Sequence, residues 1–227
     1  MYPMLQICYN TAGEKWKGMN RVVVIFDPEG ILTDTAACRF AAWREMAREQ
    51  GILWEEAQEE QLRDLDEETH LQSILSRAHR GYSAAERLAL LTRQRDLYVE
   101  YLLRMGESVA RPGAAEMLNA LRRSGAALGA VMTDGMPGQV LRYMPWQRSF
   151  QVVSRKTELS SQLADVQLKL NASPTHCLLV TVHPESAKTA RSLGMQALLC
   201  GAGEDNGIIL TQILAILPDF SGEDTTF

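Results

Sequence analysis

The sequence predicts an α/β protein, a parallel sheet carrying an inserted all-helical segment, and three observations predict it. An apolar run at residues 22–26 stops at Asp27-Pro28-Glu29-Gly30. That pattern reads as a buried parallel strand delivering a carboxylate to its C-terminal edge, the edge where open α/β sheets bind ligands. Residues 36 to about 105 repeat their apolar positions only at helical spacing. Beyond residue 109 helix and strand patterns alternate, which implies a parallel sheet with right-handed crossovers.

Taken in order, residues 1–18 have no clear period and read as an N-terminal extension. The first strand covers residues 21–26. In residues 36–50, Phe40, Trp43, Met46 and Ala47 recur at helical spacing, and Gly51 sits where a helix would stop. The stretch from 55 to 70 is strongly acidic, and Leu71, Ile74, Leu75 and Ala78 continue a helix beyond it. Ser83 with Glu86 three residues on forms a capping box for a helix over 84–104. Pro112 marks the next helix start, and Gly125 its end. Strands are then expected over 127–133, 150–153, 177–182 and 196–200. Helices are expected near 137–143, and over 158–171, 184–193 and 207–216; the polar tail after them reads as frayed.

Composition narrows the function. The chain has 227 residues, room for one core and a small inserted domain. A net charge of −5 argues against nucleic acid, which requires a basic face. No apolar stretch is long enough for a membrane span, and the first residues lack the basic start and apolar run of a signal peptide. Cys8, Cys38, Cys177 and Cys200 show no metal or disulfide spacing and read as reduced thiols. The expected location is therefore cytoplasmic.

The stretch RVVVIFDPEGILTDT at residues 21–35 resembles motif I of the haloacid dehalogenase (HAD) superfamily, an apolar strand followed by DxDGxxxDT. Asp27, Gly30, Asp34 and Thr35 match, and Glu29 stands in place of the second aspartate. The likeness runs on to about residue 200. TDTAACRFAAWREMAREQGI, EEQLRDLDEETHLQSIL, ARPGAAEMLNALRRSG and CLLVTVHPESAKTARSLGM fall in the order of the β-phosphoglucomutase-like branch. The resemblance implies a HAD-like Rossmannoid three-layer core, from residues 19–35 and 106–227, with residues 36–105 as an inserted helical cap.

It also implies roles. Asp27 would be the nucleophile that becomes a phosphoaspartate, and Glu29 the general acid and base. Thr133 would hold a phosphoryl oxygen, although the same hydroxyl serves equally as a helix N-cap. Lys156, with Arg155 as second candidate, would balance the phosphate charge, against an equal reading as a solvated surface pair. Asp27 and Glu29 would belong to a Mg²⁺ site, Mg²⁺ being the cofactor of an active enzyme.

Several positions depart from the pattern. Glu29 is one methylene too long, and misplacing a reacting group by ~1 Å costs on the order of 100-fold in rate. Pro28 has no N–H to offer a phosphoryl oxygen. Thr181 and Val182 occupy the motif IV slot where the family places acids, and valine cannot ligate Mg²⁺. Glu185, His183 and Asp134 are the nearby groups that would have to substitute. In the cap, Glu67 replaces an arginine of the sugar-phosphate mutases, and Arg39 replaces a histidine, with a structural pairing to Glu29 or the acidic loop expected. Arg93 and Arg95 read as a solvated helix face. The expectation is a protein with an impaired Mg²⁺-dependent phosphoryl-transfer site, retained for a small phosphorylated metabolite such as a sugar phosphate or for a protein partner. The alternative is an active phosphatase or sugar-phosphate mutase using an Asp nucleophile.

Overall fold

A computed structural model describes residues 22–54, 66–132, 146–154 and 156–217. The N-terminal extension, Cys8, the 55–65 acidic stretch, the helix expected near 137–143, Thr133, Asp134, Arg155 and the C-terminal tail lie outside these residues.

Five strands form one parallel sheet: β1 (Val23–Phe26), β2 (Ala127–Ala130), β3 (Val152–Val153), β4 (Cys177–Thr181) and β5 (Gln196–Leu199), in the order β3-β2-β1-β4-β5. The strand β1 is central because its residues are apolar on both sides, and all four are completely buried. In register, Phe26 lies beside Ala130 of β2 and Val180 of β4. Every strand is shorter than the sequence pattern suggested, β2 and β3 most of all: β2 ends at Ala130 and β3 has only two residues.

Seven α-helices surround the sheet among the described residues: α1 (Ala36–Glu49), α2 (Glu67–Leu75), α3 (Ala84–Met105), α4 (Ala114–Arg123), α5 (Leu159–Lys169), α6 (Pro184–Ser192) and α7 (Asn206–Ile216). Alternate residues of β1 enter different layers. Val23 and Ile25 pack with Leu163 and Val166 of α5 and Ala190 of α6. Val24 and Phe26 face the other layer, with Met117, Leu118 and Leu121 of α4 and Ile209 and Ile213 of α7. This period-2 division produces a three-layer α/β core.

The helices α1, α2 and α3 come from the stretch between β1 and β2, and the described residues of that stretch contain no strand. They pack on one another through Trp43, Met46, Leu71, Leu91 and Leu97, and this cluster is continuous with the layer above Phe26. Ser83 accepts the Glu86 amide while the Glu86 carboxylate accepts the Ser83 amide, the expected capping box. The helix expected at Pro112 begins two residues later, because Gly113, with φ +77°, makes the turn that precedes Ala114. Arg93 pairs with Glu49 at 2.6 Å, joining α3 to α1. The Nε of Arg95 donates to Glu67 of α2 at 3.0 Å. Both arginines are therefore partly exposed struts between helices. No helix among the described residues is long and apolar enough to cross a membrane.

Candidate active site

The strand β1 ends on Asp27, which is 1% exposed at the C-terminal edge of the sheet. Its amide still belongs to the sheet, donating to the Val180 carbonyl at 3.0 Å. The register that places Val180 beside Phe26 places Thr181 beside Asp27, and the Thr181 hydroxyl donates to Asp27 Oδ2 at 3.2 Å. The same hydroxyl accepts the His183 amide at 3.1 Å, which turns the chain so that His183 Nε2 stands 3.9 Å from Asp27 Oδ2. The buried carboxylate thus has a neutral donor and an imidazole from the β4–α6 turn.

After Asp27 the chain makes a tight loop. The Pro28 carbonyl accepts the amides of Ile31, Leu32 and Thr33 at 3.2, 2.7 and 3.0 Å. Gly30 has φ +77°, and a Cβ there would lie 3.1 Å from both methyls of Val182. Glycine is needed on both counts, and Val182 is the side chain that closes on this loop. Glu29 is 9% exposed, and its carboxylate turns back along the chain: Oε1 accepts the Thr35 amide at 2.9 Å, and Oε2 the Thr33 hydroxyl at 3.0 Å.

The other expected residues that the structure describes have their own surroundings. Lys156 is exposed beyond β3, two strands from β1, with its backbone amide on Ser154 and its charge acting on Asp165 of α5. Thr133 lies outside the described residues. Glu185 opens α6 and pairs with Lys188 at 3.5 Å on the surface. Arg39 is half-buried on α1, and its charge acts on His70 and Tyr98. Cys38, Cys177 and Cys200 are free and buried, and burial pushes their thiols up to about 11, about 12 and about 11. These are inert packing residues at neutral pH.

No family model matches the chain. Over 189 residues it is 26% identical to a β-phosphoglucomutase of Bacillus subtilis (strain 168), covering 80% of this chain and 84% of that protein. The chain resembles the β-phosphoglucomutase-like branch of the HAD superfamily in sequence, and it has the HAD-like fold. Solved structures share its fold. A β-phosphoglucomutase from Clostridium difficile superposes with a TM-score of 0.67 at 17% identity, over 88% of this chain and 99% of that one. A HAD-superfamily hydrolase of subfamily IA, variant 1, from Geobacter sulfurreducens PCA gives 0.65 at 18% identity, over 89% and 99%.

The described groups around Asp27 do not fit a Mg²⁺ ion. Such an ion requires hard oxygen ligands in near-octahedral geometry. Val182 presents methyls, the Glu29 carboxylate accepts from Thr33 and Thr35, and the His183 imidazole stands 3.9 Å from Asp27. Among the described residues no three His, Cys, Asp or Glu side chains are grouped as a metal site.

Sequence reasoning passed over two residues that the fold makes important. Thr181 was legible only as a position lacking an acid, although the matched ends of the two apolar runs would have located it beside Asp27. Tyr98, 63 positions beyond Thr35, lies 2.7 Å from its hydroxyl, and no local signal in the sequence announces that contact.

Proposed function

We propose that this chain is a HAD-type protein whose Mg²⁺-dependent phosphoryl-transfer site is impaired, so that it binds a small phosphorylated metabolite with little or no turnover. The single observation that carries this reading is Val182, packed on Gly30 where the superfamily pattern places an acid. Without a metal ion, a phosphate approaching Asp27 meets like charge. Two unit charges at ~4 Å repel by about 4 kcal/mol at an effective dielectric of 20. Pro28 also withdraws one backbone donor, and such a loss typically costs about 100- to 1,000-fold in rate. A sugar phosphate is the ligand class suggested by the β-phosphoglucomutase relative, and a protein partner is the other candidate. We place the protein in the cytoplasm, away from membranes and nucleic acid.

The test pairs calorimetric titration of Mg²⁺ with a phosphatase and mutase assay on a panel of sugar phosphates. The expected result is no tight Mg²⁺ binding and negligible hydrolysis of β-glucose 1-phosphate or simple phosphomonoesters. The combined change Val182→Asp, Glu29→Asp and Pro28→Leu should restore metal affinity. A second reading, an active phosphatase or mutase in which Asp27 attacks phosphorus, is favoured by Asp27 itself, buried at the sheet edge with Thr181 orienting it. Robust Mg²⁺-dependent turnover by the unmodified protein, abolished by Asp27→Asn, would establish that reading and overturn ours.

A further inference from the structure

The sheet ends in two strands that each have a neighbour on one side only, β3 and β5. The strand β3 is two residues long and offers little to a passing strand. The strand β5 is the longer edge. It lies on β4 in register, with Leu178 beside Gln196 and Thr181 beside Leu199. Just past it, the Cys200 amide donates to the Thr181 carbonyl at 2.9 Å. Backbone groups alternate in direction along a strand. Gln196, Leu198 and Cys200 therefore turn theirs toward β4, and Ala197 and Leu199 turn theirs outward. Residues 195–200 contain no charged side chain, and Gln196 and Leu199 are exposed. Such an edge is a template for another strand. One group stands on it. Arg191, in the last turn of α6, donates from Nη2 to the outward Ala197 carbonyl at 3.1 Å. Gly194, with φ +78°, makes the turn from α6 into β5 that brings the helix end this close to the edge.

We propose that Arg191 guards the open edge of the sheet: it holds the outward acceptor of β5 and so keeps a second copy of this chain from adding its own β5 there. A second copy is the occupant because the edge is self-complementary. In an antiparallel pair about a two-fold axis at Leu198, the Ala197 amide and carbonyl of one copy meet the Leu199 carbonyl and amide of the other. No charge within residues 195–200 opposes this pairing, although the whole chain carries −5. Arg191 opposes it in two ways. It takes the Ala197 carbonyl that the new ladder requires. It also sets two guanidinium groups near one axis, where like charges repel. The guard is independent of how the Asp27 site is read.

Analytical ultracentrifugation and amide hydrogen exchange by NMR, both on the full chain, test the guard. In the unmodified protein the outward Ala197 and Leu199 amides should exchange faster than the inward Leu198 and Cys200 amides. Arg191 is exposed, so Arg191→Ala leaves the core untouched. That variant should self-associate about tenfold more tightly than the unmodified protein, the scale of two exposed hydrogen bonds that pairing no longer has to break. Its Ala197 and Leu199 amides should gain protection as concentration rises. Adding Leu199→Lys to Arg191→Ala returns a like charge to the same edge and should restore the unmodified behaviour. Self-association of Arg191→Ala no stronger than that of the unmodified protein would overturn the guard. Protected Ala197 and Leu199 amides in the unmodified protein would overturn it too, since the edge would already be covered. Association of the double variant as tight as that of Arg191→Ala would place the contact away from β5 and sink the proposal.

Discussion

His70 sits inside the helical segment, 2% exposed, with its ring stacked on Trp43 at 4.4 Å and an interplanar angle of 15°. Trp54 and Phe40 close the surround, at 6.1 and 6.2 Å. Its Nε2 is buried without a hydrogen-bond partner among the described residues. Burial, aided by the charge of Arg39, lowers its pKa to about 4. The consequence for stability has a definite sign. Above pH ~6.5 the imidazole is neutral in both folded and unfolded chains. As pH falls toward 4 the unfolded chain takes up a proton that the folded one refuses, so stability is lost across that window. The full loss is about 3 kcal/mol for a shift of this size. Denaturant unfolding at pH 7 and pH 4.5 should show the drop, and His70→Phe should remove most of this difference. An identical pH difference in the variant would refute the assignment.

At the same scale, legibility divided by distance in sequence. Asp27, Gly30 and Glu29 were readable because strand, turn and acid are adjacent in the chain. The direction of the Glu29 carboxylate was not, because it is set by the Thr33 hydroxyl and the Thr35 amide.

Among elements, β2 and α5 meet more closely than any sequence pattern reveals. Gly129 in β2 has no room for a side chain, since an added Cβ would collide with Val166 Cγ1 of α5. Gly129→Ala should therefore destabilise the protein by about 1–3 kcal/mol, the usual cost of overpacking a core. Pairing it with Val166→Ala should recover part of that loss, so the two changes should be clearly non-additive in urea unfolding. Full additivity would mean that the strand and helix are not in contact there. Helix ends were easier to anticipate. The Ser83 and Glu86 capping box and the glycines at 51, 125 and 194, all with positive φ, follow from local backbone chemistry. The two-residue β3 was over-read because an edge strand with only one neighbour ends where its pairing ends.

For the molecule as a whole, ligand linkage gives the broadest test of the site. An ion that binds only the folded state raises stability, by about 2.7 kcal/mol at a hundredfold excess over its dissociation constant. With Val182 on Gly30 and the Glu29 carboxylate bonded to Thr33 and Thr35, millimolar Mg²⁺ and excess chelator should give the same melting temperature. In the Val182→Asp, Glu29→Asp, Pro28→Leu variant Mg²⁺ should raise it. A Mg²⁺-dependent rise in the unmodified protein would show that ligands outside the described residues complete a metal site.

The sequence by itself determined the α/β class, the helices among the described residues between β1 and β2, and the arrival of Asp27 at the end of a buried strand. Each is encoded in hydrophobic period or turn chemistry within about a dozen residues. The tertiary structure alone decided that Thr181 and His183 are the groups beside Asp27, that Val182 covers Gly30, and that Tyr98 reaches Thr35 across 63 positions. Strand register and helix packing bring these distant residues together, and both depend on how the whole core minimises exposed apolar surface and unpaired polar groups.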